Sequence, residues 1–221
     1  MKISLDDLNA MAPAAFCAAV GETFERAPWV AEKAAALRPF ESVIGLHAAM
    51  MGVVQAAPPE TRLEFVRAHP DLAGKAARAG DITDDSRREQ ASVGLDTLSD
   101  AEFERFHRLN DAYKAKFGFP FIVCVRRHTR DSILAQFERR LSNDAAAELA
   151  TAMQEIAYIT RLRLAERVAG EGMPKVHGRL STHVLDTHLG RPAAGLAVEL
   201  YEQVGERYIR IATAVTNADG R

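Results

Sequence analysis

Gly170-Glu-Gly172-Met-Pro174-Lys-Val-His-Gly178 separates two kinds of sequence. Three glycines and a proline within nine residues read as a linker. Ahead of it the chain is rich in Ala, Leu, Glu and Arg, with apolar residues returning at steps of three and four, the period of a helix lying on a core. Behind it they return at every second residue, the period of a strand. This reading predicts an all-α, single-domain bundle of seven or eight helices over residues 1–169, a linker at 170–178 and a short β segment over 179–221.

The helical part carries its own start and stop signals. Ser4 precedes Leu5-Asp-Asp-Leu8, and Pro59 stands where a first helical residue tolerates proline. Ser99-Asp-Ala-Glu102 has the spacing of a capping box. The helix behind it puts Phe103, Phe106, Asn110, Tyr113 and Phe117 on one face and stops at Gly118 and Pro120. Asn143 is the expected cap of the last helix, whose apolar face takes Leu149, Met153, Ile156, Ile159 and Leu162. Phe119-Pro-Phe-Ile-Val-Cys-Val125 is β-branched and aromatic but has no strand to pair with, so it is read as a buried extended connector. In the tail, 180–185, 196–200 and 209–215 alternate as three strands, punctuated at Gly190-Arg-Pro192 and Asp219-Gly220.

Composition narrows the function classes. Of 221 residues, 48% are hydrophobic and 26% charged, which excludes a disordered chain. With 28 Lys and Arg against 30 Asp and Glu there is no basic surplus for nucleic acid. No apolar run reaches the ~20 residues of a membrane span. Asp6 and Asp7 argue against a secretory signal, so a cytoplasmic protein is expected. Cys17 and Cys124 are far apart and make no metal or redox spacing, and no zinc-like pattern of His or carboxylates is visible.

Three places offer chemistry, each beside a plainer explanation. His69-Pro70 closes a helix; the histidine either presents its ring to a cavity or answers the helix C-terminal dipole. Ser86-Arg-Arg-Glu89 either faces a ligand or simply caps a helix. Arg163, at the edge of the last helix's apolar face, either snorkels or grips a carboxylate or ureido group.

Taken in order, His69-Pro-Asp-Leu-Ala-Gly74, Ser86-x-x-Glu-Gln90 with Gly94-Leu-Asp96, Leu109-Asn-x-x-Tyr113, Lys116-Phe-Gly-Phe-Pro-Phe-Ile-Val-Cys-Val-Arg126 and Ile133-Leu-x-x-Phe137-x-x-Arg-Leu-x-Asn143 resemble the 2-oxo-4-hydroxy-4-carboxy-5-ureidoimidazoline (OHCU) decarboxylase family of urate catabolism. The resemblance covers about residues 3–168. It implies an all-helical, cofactor-free enzyme, a homodimer, acting on a small ureidoimidazoline. It implies His69 and Glu89 as catalytic residues. Substrate binding falls to Pro70, to the segment Ser86, Arg87, Arg88 and Gln90, to the stretch Phe121, Ile122, Val123, Cys124 and Val125, and to Arg163. Glu89 is open between orienting His69 and holding ureido N–H groups. No metal is implied.

Leu180-Ser-Thr-His-Val-Leu-Asp-Thr187, Gly190-x-Pro-Ala193 and Thr216-Asn-Ala-Asp-Gly-Arg221 resemble the opening of 5-hydroxyisourate hydrolase, the transthyretin-like enzyme of the preceding step. His183 and Arg221 match two of its active-site residues. Its later His and terminal Tyr-Arg-Gly-Ser are not in this sequence, so hydrolase activity is not expected of the 221 residues. A different class also fits the pieces taken singly: a non-catalytic helical module with a β-strand interaction element.

Overall fold

The structure, a computed structural model, describes residues 2–74, 82–174 and 180–221. Of the expected linker, residues 170–174 fall within it, while 175–178, and residue 179 at the start of the β segment, lie outside the described residues.

The helical part runs α1 (Leu5–Ala10), α2 (Pro13–Val20), α3 (Pro28–Ala34), α4 (Val43–Gln55), α5 (Pro59–Arg67), α6 (Asp84–Ala91), α7 (Asp100–Phe117), α8 (Arg130–Arg140) and α9 (Ala145–Arg167). That is nine helices among the described residues, one more than the sequence suggested. Short helices account for the difference: Pro13 and Pro28 open α2 and α3 behind alanines that supply no side-chain cap, so neither start announces itself. Elsewhere the signals hold. The Ser4 hydroxyl accepts from the Asp7 N–H at 3.0 Å, both halves of the Ser99–Glu102 capping box form, and Gly118 closes α7 at φ +75°. The cap of α9 is a correction. Asp144, not Asn143, accepts the Ala147 N–H at 2.8 Å, and the Asn143 amide donates instead to Glu148 at 2.7 Å.

Helix α9 crosses the bundle. Its buried stripe runs through Glu148, Ala152, Ile156, Thr160 and Arg163 at steps of three and four. Of the apolar face anticipated for it, only Ile156 is fully buried; Leu149, Met153 and Ile159 are half-buried against the core. The helix therefore carries two charged side chains inward, which ordinary core packing forbids unless both are paired. Phe119–Val125 is buried and extended, ending in a 3-10 turn at Val125–Arg127. Its Phe121 ring stacks 3.7 Å from Phe137 of α8, with Tyr113 of α7 edge-on to both. Strand β1 (Ile3–Ser4) pairs in parallel with β2 (Val168–Ala169), directly after α9.

In the tail, β3 (Leu185–Asp186) pairs with β4 (Arg191–Pro192), and β5 (Ala197–Val204) with β6 (Arg207–Val215). Two expectations change here. Residues 180–184 form no strand, and Arg191–Pro192, read as turn punctuation, is one. The β5–β6 hairpin docks on α8. The Glu202 carboxylate accepts from Ser132 Oγ, lies 3.3 Å from His128 Nδ1, and the Arg207 guanidinium donates to Glu138 at 3.1 Å. Leu185, Leu196, Leu200, Tyr208 and Val215 stay exposed. Among the described residues no helix is long and apolar enough to cross a membrane.

Candidate active site

Helix α5 ends at Arg67, and the turn His69–Gly74 leads away from it. His69 Nδ1 lies 3.0 Å from the Phe65 carbonyl, one helical turn back. A carbonyl only accepts, so Nδ1 carries the proton and Nε2 keeps a lone pair. Nε2 has no hydrogen-bond partner among the described residues. Both readings of His69 therefore hold at once: one nitrogen answers the helix end and the other belongs to the cavity. Burial lowers its pKa to about 4, with the Arg163 charge acting the same way; Glu25 and the Phe65 carbonyl oppose this without reversing it. The imidazole is a neutral base.

The turn behind His69 is pinned by two amides. Gln90 Oε1 accepts the Ala73 N–H at 2.9 Å, and Asn110 Nδ2 donates to the Leu72 carbonyl at 2.8 Å. Ala73 sits at φ +49°, a left-handed conformation that costs a residue with a Cβ of order 1 kcal/mol and persists because its surroundings hold it.

Helix α6 supplies the facing wall. The cap is Thr83, whose hydroxyl accepts the Ser86 N–H, so the Ser86–Glu89 pair is not a capping box. Ser86, Glu89 and Gln90 stand at steps of three and one and share a face. Arg87 and Arg88 fall between them, rotated away, and pair with Asp84 and Asp85. The structure does not bring these two arginines into the cavity.

Arg163, 3% exposed, projects from α9 into the gap. Its Nε and Nη2 donate to the two oxygens of Glu89 at 2.9 and 2.7 Å, Nη2 also to Ser86 Oγ at 3.1 Å, and Nη1 to Glu25 at 2.9 Å. Burial works to lower its pKa, but the bonds and charges of Glu89 and Glu25 outweigh that and push it up. Glu25 was not foreseen from the sequence. It is 2% exposed and also accepts the hydroxyls of Thr83 and Ser86, each at 2.9 Å. One guanidinium is thus hydrogen-bonded to two carboxylates, with a third, Asp85, 3.9 Å from its Nε, beside a neutral imidazole.

The connector closes the site. His69, Pro70, Ser86, Glu89, Gln90, Arg163, Phe121, Ile122, Val123 and Val125 line one cleft, joined by Leu72 and Ile159, which sequence reasoning also missed. Cys124 does not line it: its side chain is buried, and burial, with the carboxylates of Glu155 and Glu89, pushes the thiol up to about 12, which makes it an inert core group. In the tail, His183 and Arg221 are both exposed. They flank the Val184–Gly220 backbone hydrogen bond of 2.8 Å but line no cleft with the residues above.

An immobilised cation, two carboxylates, a neutral base and apolar walls suit a small, polar, oxygen- and nitrogen-rich molecule whose reaction needs one managed proton. Comparison with known proteins points the same way. Residues 9–165 match the OHCU decarboxylase family, and residues 180–221 the HIUase/Transthyretin family. The 2-oxo-4-hydroxy-4-carboxy-5-ureidoimidazoline decarboxylase of Haloferax volcanii is 42% identical over 170 residues, covering 77% of this chain and 99% of that one. The uric acid degradation bifunctional protein PucL of Bacillus subtilis is 39% identical over 178 residues, 80% of this chain but 35% of that longer protein. A crystal structure of (S)-allantoin synthase superposes with a TM-score of 0.60 at 30% identity, covering 99% of this chain and 72% of its own. With the family match spanning most of the sequence, the chain belongs to the OHCU decarboxylase family.

Proposed function

We propose that the protein decarboxylates OHCU to (S)-allantoin without a cofactor, in urate catabolism. The observation that carries this reading is the pairing, in one cleft, of a neutral His69 whose Nε2 is available with the Glu89–Arg163 ion pair.

The substrate holds its own electron sink, a ring C=N bond beside the carbon that bears carboxylate and hydroxyl. When the C–COO⁻ bond breaks, its electron pair forms a C=C bond in the ring, and the C=N pair passes to nitrogen, which takes a proton. The hydroxyl then gives up its proton as a carbonyl forms, and the neighbouring ring carbon is protonated on one face. One proton is consumed overall and CO₂ leaves. His69 Nε2, a neutral base, suits removal of the hydroxyl proton and its return to carbon. Glu89 supplies a carboxylate for the ureido N–H groups. Arg163, held in place by Glu25, suits the oxygens that remain on the ring; gripping the departing carboxylate would favour ground state over transition state. Pro70, Ser86, Gln90, Phe121, Ile122, Val123 and Val125 shape the cleft.

We divide the chain into a decarboxylase domain at 1–169, a linker at 170–178 and a transthyretin-like segment at 179–221, and assign it a cytoplasmic homodimer; the last assignment is carried by family resemblance alone. We expect no hydrolysis of 5-hydroxyisourate by the 221 residues, because among the described residues the tail forms two sheets of two strands each and leaves apolar side chains exposed. A purely structural reading loses its main support at Glu89, which does not cap α6.

The test is turnover. Freshly made OHCU is mixed with the purified chain, and the optical activity of the allantoin formed is followed by circular dichroism. Rapid appearance of the S form supports the assignment; racemic product at the spontaneous rate overturns it.

A further inference from the structure

Arg140 is 1% exposed and Glu148 is fully buried. The guanidinium donates from Nε and Nη2 to one Glu148 oxygen at 2.8 and 2.5 Å and lies over the Phe121 ring at 4.4 Å. A buried pair of this kind is a poor source of stability, since desolvating two charges offsets most of their attraction. What distinguishes it is its third bond: Arg140 Nη1 donates to the Ile122 carbonyl at 2.7 Å, on the connector that walls the cleft. One peptide further on, the Cys124 N–H is held by the Glu155 carboxylate at 2.8 Å.

These two bonds fix the orientation of Val123. In a trans peptide the C=O and N–H point in opposite directions, and the cis bond of this structure lies elsewhere, at Arg38-Pro39. With the Ile122 carbonyl turned to Arg140, the Val123 N–H faces the other way. With the Cys124 N–H turned to Glu155, the Val123 carbonyl faces away from Glu155. Neither Arg140 nor Glu155 lines the cleft, whereas Val123 does. Its N–H and C=O have no hydrogen-bond partner among the described residues.

We propose that Arg140 is a positioning residue, which together with Glu155 aims the Val123 backbone donor and acceptor into the cleft as a reader of a ureide or ring-amide edge. The class of ligand rests on the decarboxylase reading above. An N–H and a C=O side by side complement the N–H and C=O of one amide edge, and backbone groups held from behind cannot rotate away when the ligand arrives. The long reach of the arginine fork matters: a lysine at 140 satisfies Glu148 as a point charge but cannot hold Glu148 and the Ile122 carbonyl with one planar group.

The experiment uses the full chain labelled with ¹⁵N-valine, the Val123 amide being assigned through Val123→Ala. The protein is titrated with (S)-allantoin as a ureide probe, and KM and kcat for OHCU are measured in parallel. In the wild type the Val123 amide should shift on saturation. In Arg140→Lys that response should vanish while the other valine resonances stay in place, and KM should rise about tenfold with kcat changed less than about threefold, the size of one or two lost hydrogen bonds. If Arg140→Lys does not fold, the paired Arg140→Met/Glu148→Met variant removes the fork without stranding a buried charge and is read the same way. A folded variant with wild-type KM and an intact Val123 response overturns the proposal, as does a wild-type Val123 amide that never responds to the probe. Absence of OHCU turnover in the wild type defeats the decarboxylase reading instead, and the Val123 titration still decides the role of Arg140.

Discussion

Arg163 holds Glu89 by both carboxylate oxygens, at 2.9 and 2.7 Å, so Glu89 is tied to a guanidinium and not to His69. The same arginine is braced from behind by Glu25 at 2.9 Å. Its charge is satisfied twice, which leaves Glu89 free to exchange part of its bond for substrate N–H groups while Arg163 stays in place.

Glu89→Gln should therefore cost activity and spare the fold. We expect kcat to fall about 10²-fold or more, in the range of a lost transition-state contact. The melting temperature should drop by only a few degrees, because the Gln amide oxygen still accepts from Arg163 and Glu25 keeps its charge paired. Thermal unfolding and turnover of the same preparation check this. A collapsed melting temperature with normal turnover would return Glu89 to a structural duty.

Glu25→Ala should do the opposite in stability. It strips a buried guanidinium of one partner and two hydroxyls of their acceptor, so a loss of ~3 kcal/mol is expected in urea unfolding. Glu25→Gln, which keeps the acceptor, should recover part of it. Unfolding midpoints unchanged in Glu25→Ala would mean that Arg163 is secured by Glu89 alone.

His69→Asn should lower kcat roughly 10²–10⁴-fold with the helical signal retained. In the wild type the acid limb of kcat/KM should lie near the lowered pKa of about 4 instead of the ordinary 6.5. Profiles measured from pH 3.5 to 8 decide it. A limb at 6.5 would place the active base elsewhere.

Stability should fall on acidification through two histidines. His47, 3.0 Å from Thr160 Oγ1, is also lowered to about 4, by burial and then by the Arg161 charge. Above pH 6.5 both folded and unfolded chains keep these rings neutral and nothing is lost. Between 6.5 and 4 the unfolded chain takes up protons that the folded one refuses, so stability declines, levelling off below 4. The full effect is at most ~3 kcal/mol for each ring, and less because both rings are half-buried. Urea unfolding at pH 7.5, 5.5 and 4.5 measures the slope, and His47→Gln should flatten it. An equal slope in that variant removes His47 from the account.

The tail should be separable from decarboxylation. Its hold on α8 runs through Glu202 and Arg207 at the hairpin. Glu202→Ala combined with Arg207→Ala should expose the hairpin to limited proteolysis and leave OHCU turnover unchanged, and a chain cut after Pro174 should decarboxylate at the same rate. Hydrolysis of 5-hydroxyisourate by the 221 residues, followed by its ultraviolet absorbance, would overturn the reading of the tail.

Local chemistry was legible where one residue and its near neighbours decide the outcome. The Ser99–Glu102 box, the Gly118 stop and the unpaired Phe119–Val125 connector follow from side chains within a few positions of one another. Glu25 was not legible, because its partners Thr83, Ser86 and Arg163 lie 58 to 138 residues away and only the folded bundle brings them together. The start of α6 is ambiguous in the sequence for a related reason. Thr83 and Ser86 are both plausible caps, and Glu25 draws the Thr83 hydroxyl to the helix entrance. Placing the start there puts Ser86, Glu89 and Gln90 on one side and turns Arg87 and Arg88 outward, which a run of five polar residues does not disclose. The alternating tail gave its second and third strands but neither their pairing nor the place of the first, since period two marks which faces differ without saying that a partner exists.

The parallel pairing of Ile3–Ser4 with Val168–Ala169 brings the entry and exit of the helical bundle to one spot on its surface. A protein whose ends meet can accept a neighbour on either side without moving it: a module joined ahead of β1 departs from nearly the same point as one joined after β2. Fusion order is then free to vary while spatial arrangement stays constant, and a circularly permuted bundle, with Val168–Ala169 joined to Ile3–Ser4 through a short loop and new ends opened between α6 and α7, away from the connector that walls the cleft, should retain the cleft.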